Sequence, residues 1–217
     1  MMLLRPPGVY RAQDDTDLLL TALRNEPVDP HRRVLDVGTG TGAVAMAAAR
    51  HGGRVTAVDA ALRAVLTTRC NARLHHLPIR VLHGDLLGAV DGDRFDLVLA
   101  NPPYVPAPSE HLPRRGAARA WDAGPDGRAV VDRICRDAPS ALAPRGTLLM
   151  VHSALCGTAR TLELLGAAGL TASVAERRWV PFGPVMRARA AWLEAVGLIG
   201  PGEEKEELVV FRAIARN

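Results

Sequence analysis

From residue 34 to residue 100 the chain alternates short apolar runs with helix-forming stretches, and this rhythm limits what it can fold into more than any single residue does. Val34 to Val37, Arg54 to Val58, Ile79 to Leu82 and Phe95 to Ala100 read as strands, with helices over Ala43 to Arg50 and Ala60 to Ala72. Strands separated by helices at this spacing form a mainly parallel sheet covered on both faces. The pattern continues beyond. Asp126 caps a helix running to about Asp137, and Gly146 to Val151 is a strand. Thr158 to Ala168 is a helix closed by Gly169, Leu170 to Ala175 a sixth strand and Leu208 to Ile214 a last one. Outside the alternation lie an amphipathic helix over Asp14 to Arg24, a helix over Val185 to Val196, and a proline-rich stretch from Val105 to Pro125 that reads as a long loop, either a functional lid or disordered.

With 217 residues and 48% hydrophobic content, one domain over 1–217 is expected, carrying an N-terminal helical extension (1–32) and an inserted helix and loop (181–205). No basic head precedes an apolar run, and no apolar segment reaches the ~18–20 residues of a membrane span, so a soluble, cytoplasmic protein is expected, with no membrane partner. Cys70, Cys135 and Cys156 are widely spaced without a C-x-x-C pair, which points away from a disulfide framework or a metal site. A net charge of +4, with Lys205 the one lysine, is too mild to indicate nucleic-acid binding.

The first strand runs into "VLDVGTGTG", residues 34–42. Gly38, Gly40 and Gly42 let backbone approach a ligand closely. A dinucleotide fingerprint reads G-x-G-x-x-G and aims a helix at a pyrophosphate, whereas here the spacing is G-x-G-x-G and Asp36 precedes the turn. That anion would repel phosphate and favour a ligand with an amino group and a sulfonium, so S-adenosylmethionine is expected. Asp59, ending the second strand, suits the ribose hydroxyls. Asp85, after the third, suits the adenine amino group, with Leu86 against the base; Thr39 and Ala60 share these turns. Each acid taken alone is equally a helix cap.

"LANPPYVP", residues 99–106, leaves the fourth strand beside the switch point of such a sheet, facing the methyl donor. Its composition suits methylation of a planar NH2 group, whose lone pair is delocalised. Asn101 Oδ1 and the carbonyl of Pro102 can each accept one hydrogen, Pro102 and Pro103 stiffen the backbone without adding donors, and Tyr104 can stack on the flat target.

These residues resemble class I methyltransferases, and among them the HemK/PrmC-like glutamine N5-methyltransferases of peptide-chain release factors, over about Gly8 to Phe211. "GVYRAQDDTDLLL" is similar to the V-Y-x-P-x-E-D-T-x-L-L segment of the short eukaryotic and archaeal branch, with Ala12 and Asp14 departing from it. By that match Tyr10, Asp15 and Thr16 lie over the cofactor. "AWDAGPDGR" resembles a W-x-G-G-x-x-G-R segment in which Trp121, Gly124, Gly127 and Arg128 match and Ala123 replaces a glycine. Trp121 and Arg128 are thereby expected at the substrate. The resemblance implies a Rossmann-like, seven-stranded, mostly parallel sheet with the last strand antiparallel. It also implies S-adenosylmethionine as cofactor and S-adenosylhomocysteine as product, catalysis by Asn101, Pro102, Pro103 and Tyr104, a release factor as protein substrate and a small zinc-binding activator subunit.

RNA and DNA amino-methyltransferases share "NPPY", so nucleobase methylation is one alternative, although the chain has no spare ~80–100 residues for a recognition domain. A small-molecule N-methyltransferase and a catalytically silent scaffold are the others.

Overall fold

Seven strands form a single sheet in the order β3-β2-β1-β4-β5-β7-β6. They are β1 (Arg33–Val37), β2 (Arg54–Asp59), β3 (Ile79–His83), β4 (Phe95–Ala100), β5 (Leu142–Ser153), β6 (Leu170–Pro181) and β7 (Lys205–Ala215). The computed structural model describes residues 2–216. β1 to β5 run parallel, while β7 is antiparallel to both neighbours. This is the Rossmann-like arrangement expected. The reversal between β1 and β4 opens a crevice at the carboxyl ends of the strands, since the chain leaves β1 toward one side of the sheet and β4 toward the other.

Helices α1 (Asp14–Leu23), α2 (Ala43–Arg50) and α3 (Leu62–Leu74) pack on one face, α4 (Val131–Ala141) and α5 (Thr158–Ala167) on the other. β1 and β4 are buried almost throughout, so their apolar runs are continuous rather than alternating. Leu18, Leu19, Ala22 and Leu23 seat α1 in the main core. Before it, a non-helical arm crosses to α3, where the buried Asn71 side chain bonds both the N–H and the C=O of Leu4.

Three expectations are corrected. The helix anticipated from Asp126 begins five residues later, at Val131. Asp126 Oδ1 instead accepts the Arg128 N–H at 3.0 Å, a local turn that competes with helix. β6 continues to Pro181 because β7 pairs with it along its whole length, from Leu170↔Ala215 to Pro181↔Lys205. The stretch 105–125 is no free loop: Val105 N–H bonds Trp121 O at 2.7 Å and Ala123 N–H returns to Val105 O at 3.1 Å.

Helix α6 (Pro184–Ala195), in the insertion, builds a second small core from Phe182, Met186, Leu193 and Ile199, onto which Val105 packs. Arg189 faces inward, donating to Pro106 O at 2.8 Å and pairing with Asp122 at 2.7 Å. The insertion therefore braces the segment that follows "NPPY".

Candidate active site

The crevice has a volume of about 1280 Å³, more than one small ligand requires, so it has room for a cofactor and part of a substrate together. Along its floor, strand by strand, stand Gly38 and Gly40 after β1, Asp59 and Ala60 at the end of β2, Asp85 and Leu86 after β3, and Asn101 to Tyr104 after β4. Tyr10 and Asp15 come in from the N-terminal arm and α1. Thr16, Asp36 and Thr39 line a small recess that continues it beside Gly38 and Asn101.

Gly38 and Gly40 have φ of +73° and +58°, in the left-handed region where glycine is at ease. Gly42 does something else. A Cβ there would sit 2.9 Å from Thr68 Cγ2, so its bare Cα lets α2 and α3 approach, and it lines neither cavity.

Asp36 is 2% exposed and accepts from the Thr39 hydroxyl at 2.6 Å and the Ala45 N–H at 3.1 Å. Burial raises its carboxyl from an ordinary 3.8 to about 6 despite those donors, so its ionised form calls for a cation nearby. Asp59 accepts from Gly40 N–H at 2.9 Å and Ala61 N–H at 2.8 Å; burial again raises its carboxyl. One carboxylate thus ties the glycine turn to the start of α3 and keeps further lone pairs for a ligand. Asp85 is more exposed and pairs with Arg133 at 2.6 Å.

The polar ends of "NPPY" are both tied to α1. Tyr104 and Tyr10 donate their hydroxyl hydrogens to Asp15 Oδ2, at 3.1 Å and 2.6 Å. Thr16 Oγ1 donates to Asp15 Oδ1 at 3.2 Å and accepts from Asn101 Nδ2 at 3.2 Å. Because the Thr16 hydroxyl spends its one hydrogen on Asp15, the nitrogen of Asn101 must face Thr16, and Oδ1 is the atom left for a ligand. From behind, Cys156 Sγ donates to Tyr104 O at 3.2 Å, and Gly127 lies so close that a Cβ would collide with Tyr104 O.

Trp121 lies in the crevice wall. Arg128 does not. It is 2% exposed and its guanidinium bonds Asp132, the Cys156 and Gly157 carbonyls and Thr161, so it pins the "NPPY" support to α5 and lines neither the crevice nor its recess. Sequence reasoning also missed Glu206, a buried acid in the crevice wall. It sits in the acidic run "EEKEE", and only β7 pairing shows which member turns inward.

The profile of the methyltransferase small domain matches residues 1–112. Mouse methyltransferase HEMK2 is 38% identical over 154 residues, covering 66% of this chain and 71% of the mouse protein. A Methanocaldococcus jannaschii protein named for N5-glutamine methylation is 34% identical over 182 residues, covering 83% of this chain and 90% of that protein. The chain belongs to the HemK-type methyltransferases. The release factor glutamine methyltransferase of Shewanella oneidensis is 36% identical over 146 residues, and this HemK-type chain spans 51% of that protein's length. Among solved structures, a chain of the E. cuniculi Mtq2–Trm112 complex, described as responsible for methylation of the eRF1 termination factor, superposes with a TM-score of 0.67 at 22% identity. The match covers 96% of this chain and 99% of that one. The T. thermophilus 16S rRNA N2 G1207 methyltransferase, solved with AdoMet and guanosine, gives 0.64 at 23% identity over 98% of this chain and 46% of that one. At such identities both show a shared fold.

Proposed function

We propose that this chain transfers the methyl group of S-adenosylmethionine to the side-chain amide nitrogen of the glutamine in the Gly-Gly-Gln loop of a release factor. The observation that carries this reading is the Asp15–Thr16–Asn101 relay, which leaves one fixed amide oxygen beside the crevice where a planar NH2 can donate to it. The names of its relatives supply the glutamine.

The residues present suit the cofactor. Two glycines without Cβ form the cradle, a buried acid behind them favours a cation, and Asp59, Ala60, Asp85 and Leu86 follow on the ribose and adenine side. Tyr10, Asp15, Thr16 and Thr39 close it from the arm. Bound there, S-adenosylmethionine supplies an electrophilic methyl on sulfur and leaves as S-adenosylhomocysteine. Asn101 Oδ1 and the Pro102 carbonyl accept the two hydrogens of the target amide, orienting its lone pair toward the crevice and stabilising positive charge as it develops on nitrogen. Pro103 holds that pair of acceptors rigid, and Tyr104 and Trp121 wall the flat group on either side. One of the two held protons then leaves to water.

Residues 1–217 act as one catalytic domain in this reading, with 1–32 as the roof over the cofactor and 181–205 as the brace of the substrate side. The reaction belongs in the cytoplasm, where release factors work; among the described residues no helix is long and apolar enough to cross a membrane. A small zinc-binding activator subunit covers the uncapped flank of the sheet. Leu62, Leu66 and Leu74 stand exposed on α3 beside the open edge of β3, and α6 packs elsewhere and leaves them bare.

The test is transfer of labelled methyl to purified release factor, beside a Gln-to-Ala version of its loop, total RNA and DNA, with and without the activator. Label on the intact factor alone is expected. Label confined to nucleic acid, with the activator present, would overturn the glutamine assignment.

A further inference from the structure

Glu206, at the start of β7, is 7% exposed, and its Oε2 has no hydrogen-bond partner among the described residues. A buried acceptor without a donor is costly, and such groups survive where a ligand satisfies them. The surrounding hydrogens are already spent. Tyr10 and Tyr104 both donate to Asp15, and the single Ser153 hydroxyl hydrogen is the one available to this carboxylate. Burial, and then the Asp15 carboxylate, raises the Glu206 carboxyl.

Its place in the sheet says which ligand it faces. The proposed contacts to the glycine turn, ribose and adenine lie after β1, β2 and β3, on one half of the sheet, and the "NPPY" acceptors lie after β4. Tyr10, Asp15 and Thr16 come in from the arm and α1, with Tyr10 and Asp15 within electrostatic reach of Glu206. Glu206 stands on the other half, two strands past β4, beside Tyr104 and the amino end of α6, whose Gly183, Pro184 and Met186 also line the crevice. At ~4.8 Å between strands, that is on the order of 10 Å beyond Asn101 and farther from the adenosine side.

We propose that Glu206 is a substrate-binding residue, its free carboxylate oxygen accepting a main-chain N–H of the peptide segment that carries the target amide. The inference rests on the methyl-transfer reading above and adds to it a peptide-specific contact. A free small amide lacks that N–H, as do adenine and cytosine beside their amino groups, while guanine offers only a ring N–H, so the main-chain ester series below is what marks the contact as a peptide one. Glycine neighbours around the target would expose their N–H groups most readily, having no side chain to shield them.

The experiment measures steady-state transfer to release factor, cofactor affinity by calorimetry and the thermal midpoint for wild type, E206A and E206Q. E206A is expected to raise KM for the factor about ten-fold or more, as expected for a lost hydrogen bond to a charged group. Cofactor affinity should stay within about two-fold and the midpoint unchanged or raised, because an unsatisfied buried charge is removed. E206Q, which keeps an acceptor oxygen, should recover most of the loss. In a loop peptide, an ester in place of each main-chain amide flanking the glutamine, in turn, removes one N–H at a time. One such ester should weaken the wild type and have no further effect on E206A. An unchanged KM, a parallel loss of cofactor affinity, or a fallen midpoint that E206Q shares would overturn the assignment. A wild-type chain that labels no release factor would instead overturn the methyl-transfer reading itself.

Discussion

Asn101 shows how one side chain's chemistry is set by its neighbours. An amide free to flip offers oxygen and nitrogen to the crevice alternately, and the nitrogen would repel the target's own hydrogens. The Thr16 hydroxyl, committed to Asp15, removes that ambiguity. Asn101→Ala should therefore lower kcat by about 10²- to 10³-fold, as for loss of one preorganised partner of a developing charge. Cofactor affinity should stay within a few-fold; equal losses in both would assign the residue to cofactor binding. Thr16→Val leaves the amide but not its anchor, and should cost kcat about ten-fold, the equivalent of one neutral hydrogen bond. Asp36 makes a different prediction. Folded, its carboxyl keeps the proton to about pH 6, while an unfolded aspartate loses it near 3.8. Ionisation therefore costs the fold, and the contribution of Asp36 to stability is greatest below pH 4 and declines as pH rises through 6. His152, held neutral by burial down to about pH 4, acts in the opposite sense across the same window, losing stability as pH falls. The two oppose each other in the wild type, and Asp59 and Glu206, also raised by burial, add to the first, so the effect of Asp36 must be read by difference. Asp36→Asn should be more stable than wild type at pH 8 by about 3 kcal/mol, with the gap closing toward pH 4 in denaturant titrations. A gap independent of pH would mean that ionisation is not the cause.

At the scale of elements, the segment after "NPPY" is a short ribbon whose far side carries Gly127 and Arg128. Gly127 has φ of +71°, and its missing Cβ is where Tyr104 O and Cys156 Sγ fit. Gly127→Ala should lower the thermal midpoint and reduce transfer together, by displacing Tyr104, whereas Gly124→Ala, whose Cβ would meet Ala129 Cβ at 3.8 Å, should cost stability through its φ of +82° with a smaller loss of transfer. Comparable transfer losses in both would deny Gly127 its special position. Much of this was legible in advance: strand alternation, the glycine turn and "NPPY" are local signals, and β1 to β4 lie within a residue or two of the stretches read from hydropathy. Most of what was not legible depends on partners far along the chain. The Asp126 turn is the local exception, since accepting the Arg128 N–H competes with capping over the same few residues. β6 reaches Pro181 only because β7 lies beside it. Arg128 matched a substrate motif, yet the Cys156 and Gly157 carbonyls, across on the neighbouring connection, claim its guanidinium. Glu206 was hidden in an acidic run whose inward-facing member is chosen by pairing register.

The whole molecule has two open sheet edges, and it treats them differently. Along β6, Glu176, Arg177 and Arg178 place charge on the edge, Arg177 pairs with Glu207 at 2.7 Å and Pro181 closes the strand, all of which discourage further pairing. Beside β3 the flank is apolar: Leu62 and Leu66 are 56% and 52% exposed, one helical turn apart on α3, with Leu74 at 60% two turns further on. Isolated exposed leucines are ordinary, but a row on one helix face next to an unpaired strand is a surface awaiting cover. The insertion cannot supply it, since α6 is occupied with the segment after "NPPY" on the opposite half of the sheet. The chain alone should therefore self-associate with rising concentration, and Leu62→Ser combined with Leu66→Ser should keep it monomeric by light scattering, with cofactor affinity within a few-fold of wild type, since both side chains point to solvent although Leu62 follows Ala60 and Ala61 of the crevice wall. Where the proposed activator subunit raises the thermal midpoint of the wild type, the same double substitution should abolish that rise, because stabilisation by a partner requires that it bind the folded chain. If the variant still gains the full shift, the activator binds elsewhere, and the leucine row is an ordinary part of the surface.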